Sequence, residues 1–334
     1  MAAASTQSSA SSSASAINPD ERSRLQESFA SLPFTSHPSR WDSLYRQAFT
    51  PWDRAGPSLA LADLLAQRTD LVPPAQERDA RGNLVQGVPR RTALVPGCGR
   101  GHDVLLLSSF GYDVWGLDYS PDAVRMAEEN RKDAESKGLY KPVEEDLEKG
   151  DIKWLAGDFF DESWSKGIGT DGSGTFDLIY DYTVSLISAV VQLHVDPVPS
   201  ATCTSTCRCI GVPANQQPTV PVRPAPEARP RWAKRMADLV HPKGRLVCLE
   251  FPTGKPLSEP GPPWGLNPEV YEALLSAPGE EVSYNPDGTV VHKPSSKPCQ
   301  GELHRLSIIK PTRTHRAGTA EDGSVMDFIS VWTR

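Results

Sequence analysis

A short apolar segment that runs through a glycine-rich loop into a helix is the feature that most constrains the fold. Residues 91–96 read Arg-Thr-Ala-Leu-Val-Pro, residues 97–101 read Gly-Cys-Gly-Arg-Gly, and an apolar helical stretch follows over residues 102–110. Glycines permit sharp turns and let a ligand approach the backbone. The first turn of the helix offers free N–H donors. The order predicts the first strand–loop–helix unit of an α/β sheet with a ligand beside its loop.

The rest of the chain continues this alternation. Ser120 is predicted to cap a helix that has Pro121 at its first position and ends near residue 137, and residues 231–240 carry one apolar helix face. Strand-like segments cover residues 112–118, part of 154–160 ending at Asp158, 176–181, 244–250, and a C-terminal hairpin of 303–309 with 325–332. We therefore predict a Rossmann-like α/β fold with a seven-stranded, mostly parallel sheet and helices on both faces.

An acidic residue follows the glycine loop at a spacing that indicates the ligand. Asp118 lies 21 residues after Gly97, at the end of the second predicted strand, where a carboxylate accepts both hydroxyls of a ribose. The loop has the form G-x-G-x-G, whereas the G-x-G-x-x-G form presents a helix to a pyrophosphate. The spacing favours S-adenosylmethionine, which has no phosphate, over NAD. Asp158 beside Phe159 is expected to bond an adenine amino group and cover its ring.

Composition and charge exclude several classes of protein. The formal net charge is −7, and an acidic chain without a basic stripe binds nucleic acid poorly. The sequence contains no run of 18 apolar residues, so no membrane-spanning helix is predicted. Cys203, Cys207 and Cys209 are clustered, but they lack the second pair or the nearby histidine of a zinc site. We expect no metal, and we expect reduced thiols, as in the cytoplasm.

The N-terminus is predicted to be disordered. Thirteen of the first 16 residues are Ala or Ser, and such a segment buries too little apolar surface to offset its ordering entropy. It has neither the basic region nor the continuous apolar core of a signal peptide. We therefore predict a disordered tail over residues 1–35, one domain over residues 36–334, and a cytoplasmic location.

Several motifs connect the chain to a known family. In chain order they are Trp41-Asp-Ser-Leu-Tyr45, Thr50-Pro-Trp-Asp53, Leu94-Val-Pro-Gly-Cys-Gly-Arg-Gly-His-Asp-Val104, Gly116-Leu-Asp118, Asp158-Phe-Phe160, Phe176-Asp-Leu-Ile-Tyr-Asp-Tyr182, Arg229-Pro-Arg-Trp-Ala-Lys234 and Gly261-Pro-Pro-Trp264. In these motifs the chain resembles the thiopurine S-methyltransferase superfamily, and within it the plant and fungal thiol and halide (thiocyanate) methyltransferases. The resemblance covers about residues 38–183 and 227–334. It implies a class I S-adenosylmethionine-dependent methyltransferase.

The resemblance also implies a set of cofactor-binding residues. S-adenosylmethionine would be held by Trp41, Tyr45, Trp52, Gly97, Asp118, Asp158, Phe159 and Tyr182. The three N-terminal aromatic residues are spaced to share one face of a helix, which is predicted to fold over the site as a lid. Aromatic faces attract the cationic sulfonium when water is excluded. The alternative is that Trp41 and Trp52 anchor the N-terminal segment to the core.

Methyl transfer to a small soft nucleophile makes modest demands on the protein. Iodide, thiocyanate, hydrosulfide and thiolates are already anionic, so the protein mainly aligns the reactants and removes water. A neutral thiol must first lose its proton. We expect Tyr182 to be the catalytic residue and to pack on cofactor and acceptor. Asp181 is expected to be structural or polar lining, and His102 and Asp103 to serve in capping and packing rather than as an acid–base pair.

Residues 184–226 interrupt the resemblance. They include seven prolines and three cysteines but almost no charge, and an irregular segment of this length is unusual inside a compact domain. We interpret the segment as a retained intron or a misplaced exon boundary; a genuine insertion over the site is the alternative. Other functions also stay open: methylation of another small molecule, S-adenosylmethionine binding without catalysis, and nicotinamide oxidoreduction, which the glycine spacing disfavours.

Overall fold

The central sheet contains seven strands. In a computed structural model they are β1 (Thr92–Pro96), β2 (Asp113–Asp118), β3 (Ile152–Ala156), β4 (Phe176–Tyr182), β5 (Val240–Glu250), β6 (His304–Ile309) and β7 (Phe328–Thr333). Their order across the sheet is β3-β2-β1-β4-β5-β7-β6. Strands β1 to β5 pair in parallel, and β7 is antiparallel to both β5 and β6. The predicted seven-stranded, mostly parallel sheet with a C-terminal hairpin is confirmed.

The structure describes residues 18–30, 32–169, 172–182, 228–253, 255, 262, 265–285, 289–291 and 301–334. Residues 1–17, Trp264 and the segment 184–226, with its three clustered cysteines, lie outside the described residues. None of the helices in the described part is long and apolar enough to cross a membrane.

Seven α-helices accompany the sheet. They are α1 (Pro19–Ala30), α2 (His37–Arg46), α3 (Leu59–Gln67), α4 (His102–Ser109), α5 (Pro121–Ser136), α6 (Arg229–Leu239) and α7 (Pro268–Ser276) among the described residues. Because side chains alternate along a strand, β1 contributes to two apolar cores. Leu94 packs in a core with residues of α6 and α7, whereas Ala93 and Val95 pack in a core with residues of α3 and α4. The prediction of helices on both faces is confirmed.

The helix after β2 begins as predicted. The Ser120 Oγ accepts a hydrogen bond from the Ala123 N–H at 3.3 Å, and Pro121 is the first helical residue. The same hydroxyl donates to Asp42 Oδ1 at 2.7 Å. The cap of α5 therefore also fastens α2, near the N-terminus, against the carboxyl end of β2.

Two predicted boundaries were wrong for local reasons. Strand β3 ends at Ala156, two residues before the predicted Asp158. Asp158 instead forms a turn in which its Oδ1 accepts the Phe160 N–H at 2.9 Å, and short side-chain-to-backbone bonds of this kind compete with strand pairing. Trp52 does not share a helix with Trp41, because α2 ends at Arg46 and a turn with positive φ at Ala48 follows.

The predicted tail over residues 1–35 also differs from the structure. Residues 19–30 form α1, and Leu25 and Phe29 on this helix are each only 3% exposed. The tail was predicted from the Ala/Ser composition of the first 16 residues. That composition does not reveal a packing contact made by α1. The Phe29 ring lies 4.6 Å from the Trp41 ring, so α1 gains an apolar contact with α2.

Candidate active site

The glycine loop lies between β1 and α4 at the carboxyl end of the sheet. Gly97, Gly99 and Gly101 have φ values of 59°, 52° and 74°, a backbone region that strongly favours glycine. The Gly99 N–H donates to Asp118 Oδ2 at 3.0 Å. The loop is thus tied to the end of β2, and its backbone faces the cavity described below.

Asp118 is a buried carboxylate at the carboxyl end of β2. Its Oδ2 accepts the Gly99 N–H and its Oδ1 accepts the Ser120 N–H, both at 3.0 Å. A carboxylate offers about four acceptor positions, so two bonds leave capacity for ligand hydroxyls. Burial raises the pKa of Asp118 to about 6, although the two backbone amides oppose the shift.

Three N-terminal aromatic side chains pack together beside the loop. The Trp52 ring is perpendicular to both neighbours, at 4.8 Å from the Trp41 ring and 5.5 Å from the Tyr45 ring. Trp52 Nε1 also donates to the Tyr45 hydroxyl at 3.3 Å. That hydroxyl would lie 3.0 Å from a Cβ atom at Gly99. The predicted grouping of these aromatics is therefore present, although only two of them lie on α2.

The far wall of the site comes from the ends of β3 and β4. Asp158 follows β3, and burial raises its pKa; the neighbouring Phe159 is 5% exposed. Tyr182 is the last residue of β4, and burial raises the pKa of its phenol. By contrast, Asp181 is fully buried beside Cys248 of β5 and is absent from the cavity walls formed by the described residues.

The polar pair at the start of α4 is held by structural contacts. The Asp103 Oδ1 accepts the Ser58 N–H at 2.7 Å, and burial raises the Asp103 pKa to about 6. His102 Nε2 lies 3.3 Å from Asp53 Oδ1, while its Nδ1 lies 3.3 Å from the Tyr140 hydroxyl. The Nδ1 atom thus has hydrogen-bond partners, whereas Nε2 has only the ion-pair contact with Asp53 and no hydrogen bond among the described residues.

One cavity brings together the eight residues that the resemblance implied. Its walls include Trp41, Tyr45, Trp52, Gly97, Asp118, Asp158, Phe159 and Tyr182. The walls also include residues that were not selected from the sequence: Leu25, Asp53, Arg54, Cys98, Phe251 and His315. Arg54 directly follows the Thr50-Pro-Trp-Asp53 motif and Phe251 directly follows β5, so each had a positional signal. His315 lies in the β6–β7 connection and had none.

The comparisons with known proteins agree with the resemblance. Residues 81–190 match the family model described as thiopurine S-methyltransferase. Thiocyanate methyltransferase 1 of Brassica oleracea is 26% identical over 269 residues, which are 80% of this chain and 85% of the relative. Probable thiol methyltransferase 2 of Arabidopsis thaliana is 26% identical over 242 residues, which are 72% and 74% of the two chains.

The chain is similar to the thiopurine S-methyltransferase superfamily over residues 81–190 and to plant thiol and thiocyanate methyltransferases over most of its length. It is accordingly an enzyme of the methyltransferase type, and its cofactor is S-adenosylmethionine. The family match ends at residue 190, inside the segment 184–226 that the sequence marked as foreign.

Two solved methyltransferase structures align with this chain. Magnesium protoporphyrin IX methyltransferase of Synechocystis, solved with bound S-adenosylhomocysteine, aligns over 94% of this chain and 100% of its own, with a TM-score of 0.42 and 13% identity. A TehB-like S-adenosylmethionine-dependent methyltransferase of Corynebacterium glutamicum aligns over 89% and 99%, with a TM-score of 0.42 and 14% identity.

No group of histidine, cysteine and acidic side chains among the described residues of the methyltransferase is arranged to hold a metal ion. Cys98 and Cys248 are free thiols. Burial raises the pKa of both well above the usual thiol value, so they are neutral at physiological pH.

Proposed function

We propose that this methyltransferase transfers a methyl group from S-adenosylmethionine to a small thiol, thiocyanate, hydrosulfide or halide acceptor. The observation that carries the proposal is the single cavity at the carboxyl end of the sheet, which gathers the eight implied residues around the glycine loop. The names of the plant relatives, thiocyanate and thiol methyltransferases, support the choice of acceptor class.

The residues of the cavity fit this cofactor chemically. Asp118 retains acceptor positions for the ribose hydroxyls, since the Gly99 and Ser120 amides occupy two of about four. Asp158 and Phe159 would hold the adenine, and the Gly97–Gly101 backbone would border the amino-acid end. Trp41 and Trp52 line the cavity with aromatic surface that stabilises a cation.

When bound, S-adenosylmethionine would supply an electrophilic methyl group on its sulfonium, and loss of that group to the acceptor would leave S-adenosylhomocysteine. The protein aligns the acceptor and keeps water away. Tyr182 would contact both the cofactor and the acceptor, because its ring lines the cavity. Burial raises the pKa of its phenol, so the phenol stays protonated at neutral pH. A catalytic base is not needed for an acceptor that arrives as an anion.

Titration of the purified chain with S-adenosylhomocysteine tests the cofactor site. We expect saturable binding that Asp118→Ala weakens at least about tenfold, since two hydrogen bonds to a charged group are lost. Asp113→Ala is the matched control: Asp113 begins the same strand, and its Oδ1 accepts the Asp151 N–H at 2.9 Å, far from the cavity walls. Equal binding by wild type and Asp118→Ala would contradict the assignment.

A screen of thiocyanate, iodide and hydrosulfide then tests the reaction, with methylated product detected by gas chromatography. Turnover of at least one of them supports the proposal. Binding of S-adenosylhomocysteine without turnover of any acceptor favours the alternative, a catalytically impaired cofactor-binding protein, which the segment 184–226 beside Tyr182 would explain.

A cytoplasmic location is also part of the proposal. The neutral, unpaired thiols of Cys98 and Cys248 support it, because reduced cysteines are typical of reducing compartments. Cell fractionation with an antibody to the chain checks this location, and recovery in an oxidising compartment would contradict it.

A further inference from the structure

Two arginines line the cavity, and they differ in their partners. Arg100 Nε lies 3.5 Å from Asp53 Oδ2, so its charge is paired. Arg54 has no carboxylate within 4.0 Å among the described residues, whereas the buried Nε atoms of Arg54 and Arg100 both lack a hydrogen-bond partner there. A buried nitrogen without a partner is costly, and an unpaired guanidinium in a cavity indicates an anionic ligand.

The surroundings of Arg54 are aromatic. Its guanidinium carbon lies 5.7 Å from the centre of the Phe251 ring, within reach of a cation–π contact, and its charge lowers the pKa of the Tyr182 phenol against the larger effect of burial. The Tyr182 ring stacks on His315 at 5.8 Å with an angle of 17° and meets Phe251 edge-on at 5.8 Å. Three rings and one cation thus form a continuous wall.

Among the four side chains of this wall, Arg54 carries the charge at neutral pH. Burial, and after it the Arg54 guanidinium, lower the pKa of His315 to about 4, so its imidazole is neutral at pH 7. The facing carboxylate, Asp327, accepts the Thr314 hydroxyl at 2.7 Å and lies beyond 4.0 Å from Arg54. The carboxylates of Asp53, Asp103, Asp118 and Asp158 also line the cavity, but none of them lies within 4.0 Å of Arg54, so its guanidinium is available to an anionic ligand.

We infer that Arg54, the Tyr182 phenol and the Phe251 and His315 rings form the acceptor subsite, which selects small monovalent anions with a soft nucleophilic atom. The guanidinium neutralises and orients the anion through charge-assisted hydrogen bonds, and the rings exclude water from it. Arg54 thus determines acceptor specificity. The inference rests on the proposed function for the reaction that takes place at this subsite.

The test compares Arg54→Gln with Arg54→Lys and Arg100→Gln, all in the full chain. Two readouts are needed: the Kd of thiocyanate for the S-adenosylhomocysteine complex, measured by calorimetry, and the KM of thiocyanate in methyl transfer. We expect Arg54→Gln to raise both at least about tenfold, Arg54→Lys to restore most of the loss, and the Kd of S-adenosylhomocysteine to change little. Thermal unfolding verifies that each variant is folded.

The possible results separate the subsite from the reaction. Thiocyanate binding that Arg54→Gln weakens supports the subsite even if no methyl transfer occurs, in which case the proposed function alone fails. Methyl transfer by wild type with unchanged Kd and KM in Arg54→Gln overturns the subsite and leaves the proposed function intact. An equal loss in Arg100→Gln also overturns it, because the effect would then come from the overall field of the cavity. Failure of the wild-type complex to bind thiocyanate overturns it as well.

Discussion

At the scale of single residues, Asp118 illustrates how burial of a ligand-binding carboxylate is unfavourable for the ligand-free protein. Burial opposes its charge, and hydrogen bonds from neighbouring backbone amides compensate only in part. The free carboxylate is therefore under-satisfied, which makes it a strong acceptor for ligand hydroxyls. Such a group is expected to link cofactor binding to pH.

Cofactor affinity is predicted to fall in mild acid because of Asp118. Its pKa is about 6 in the folded chain, against about 3.9 in an unfolded one. The carboxylate form, which accepts ribose hydroxyls, is complete above pH 6 and is lost as the pH falls through 6. We expect the Kd of S-adenosylhomocysteine to rise about tenfold per unit well below pH 6. Calorimetry between pH 5 and 8 measures it.

Ionisation of Asp118 has the opposite effect on folding stability, so the pH dependence of stability can be distinguished from that of cofactor affinity. A raised pKa means that the folded state binds the proton more readily than the unfolded state, so this group destabilises the fold above pH 6 and less so below it. Asp118→Asn is the control and is expected to bind weakly at every pH. A slope that persists in Asp118→Asn would assign it to another carboxyl group, such as Asp103 or Asp327, whose pKa values are also about 6.

At the scale of elements, the N-terminal segment both lines the cavity and anchors itself by apolar packing, two roles that we treated as alternatives from the sequence. Trp41 contacts Phe29 of α1 at 4.6 Å, as an anchor would, and it also lines the cavity. Leu25 of α1 lines the same cavity. The helices α1 and α2 are therefore part of the site wall, and the packing that holds them also shapes the space for the ligand.

The indole of Trp154 on β3 packs over two glycines, and this contact yields a stability prediction. A Cβ at Gly101 would lie 2.4 Å from Trp154 Cη2, and one at Gly116 would lie 2.6 Å from Trp154 Cζ3. Gly101→Ala should therefore cost about 1–2 kcal/mol for its positive φ and about 1–3 kcal/mol for the collision. The free energy of unfolding in urea measures the sum.

Gly82→Ala is the matched control for Gly101→Ala. Gly82 has a φ of 86°, and a Cβ there would meet nothing within 4 Å, so only the backbone cost applies. If the two variants lose the same stability, the indole accommodates the methyl group and the packing argument fails. Combining Gly101→Ala with Trp154→Phe should recover part of the loss, because the colliding ring atoms are removed.

At the scale of the whole molecule, the parallel pairing of β4 with β5 places the long connection. Parallel neighbours need a crossover, and α6 supplies it. The chain therefore leaves β4 at Tyr182, on the edge of the sheet where the cavity lies, before α6 begins at Arg229. Tyr182, the last described residue before the segment 184–226, is itself part of the cavity wall.

We propose that most of this segment is dispensable, and two deletions test it. Removal of residues 191–225 retains the part that matches the family model, whereas removal of 184–225 does not. We expect the first variant to keep the affinity for S-adenosylhomocysteine, to gain about 1 kcal/mol from the shorter loop, and to turn over acceptors faster.

The second deletion variant, which lacks residues 184–225, is expected to be less active than the first. A weaker affinity for S-adenosylhomocysteine in the first variant would show instead that the insertion is genuine and completes the site. Sequencing the transcript provides an independent check: a message without these codons identifies a retained intron.

Much of the fold was predictable because its signals are local. The glycine spacing, the Ser120–Pro121 cap and the apolar strands each depend on a few neighbouring residues, and the structure has all of them, although β3 ends two residues earlier and β5 begins four residues earlier than predicted. Predictions failed where a distant contact outweighed the local pattern. Residues 19–30 are helical because Phe29 meets Trp41, and Trp52 reaches its aromatic neighbours from a turn rather than from a helix.

The sequence by itself determined the α/β alternation, the glycine loop and the carboxylate of Asp118, since short-range patterning sets each of them. Only the tertiary structure brought Arg54, Phe251 and His315 to one wall. These residues follow an N-terminal motif, β5 and β6, and the strand order places those segments side by side. Their proposed role depends on contacts between residues that are far apart in the chain. The electrostatic environment of an acceptor site is a property of that assembly and not of any local motif.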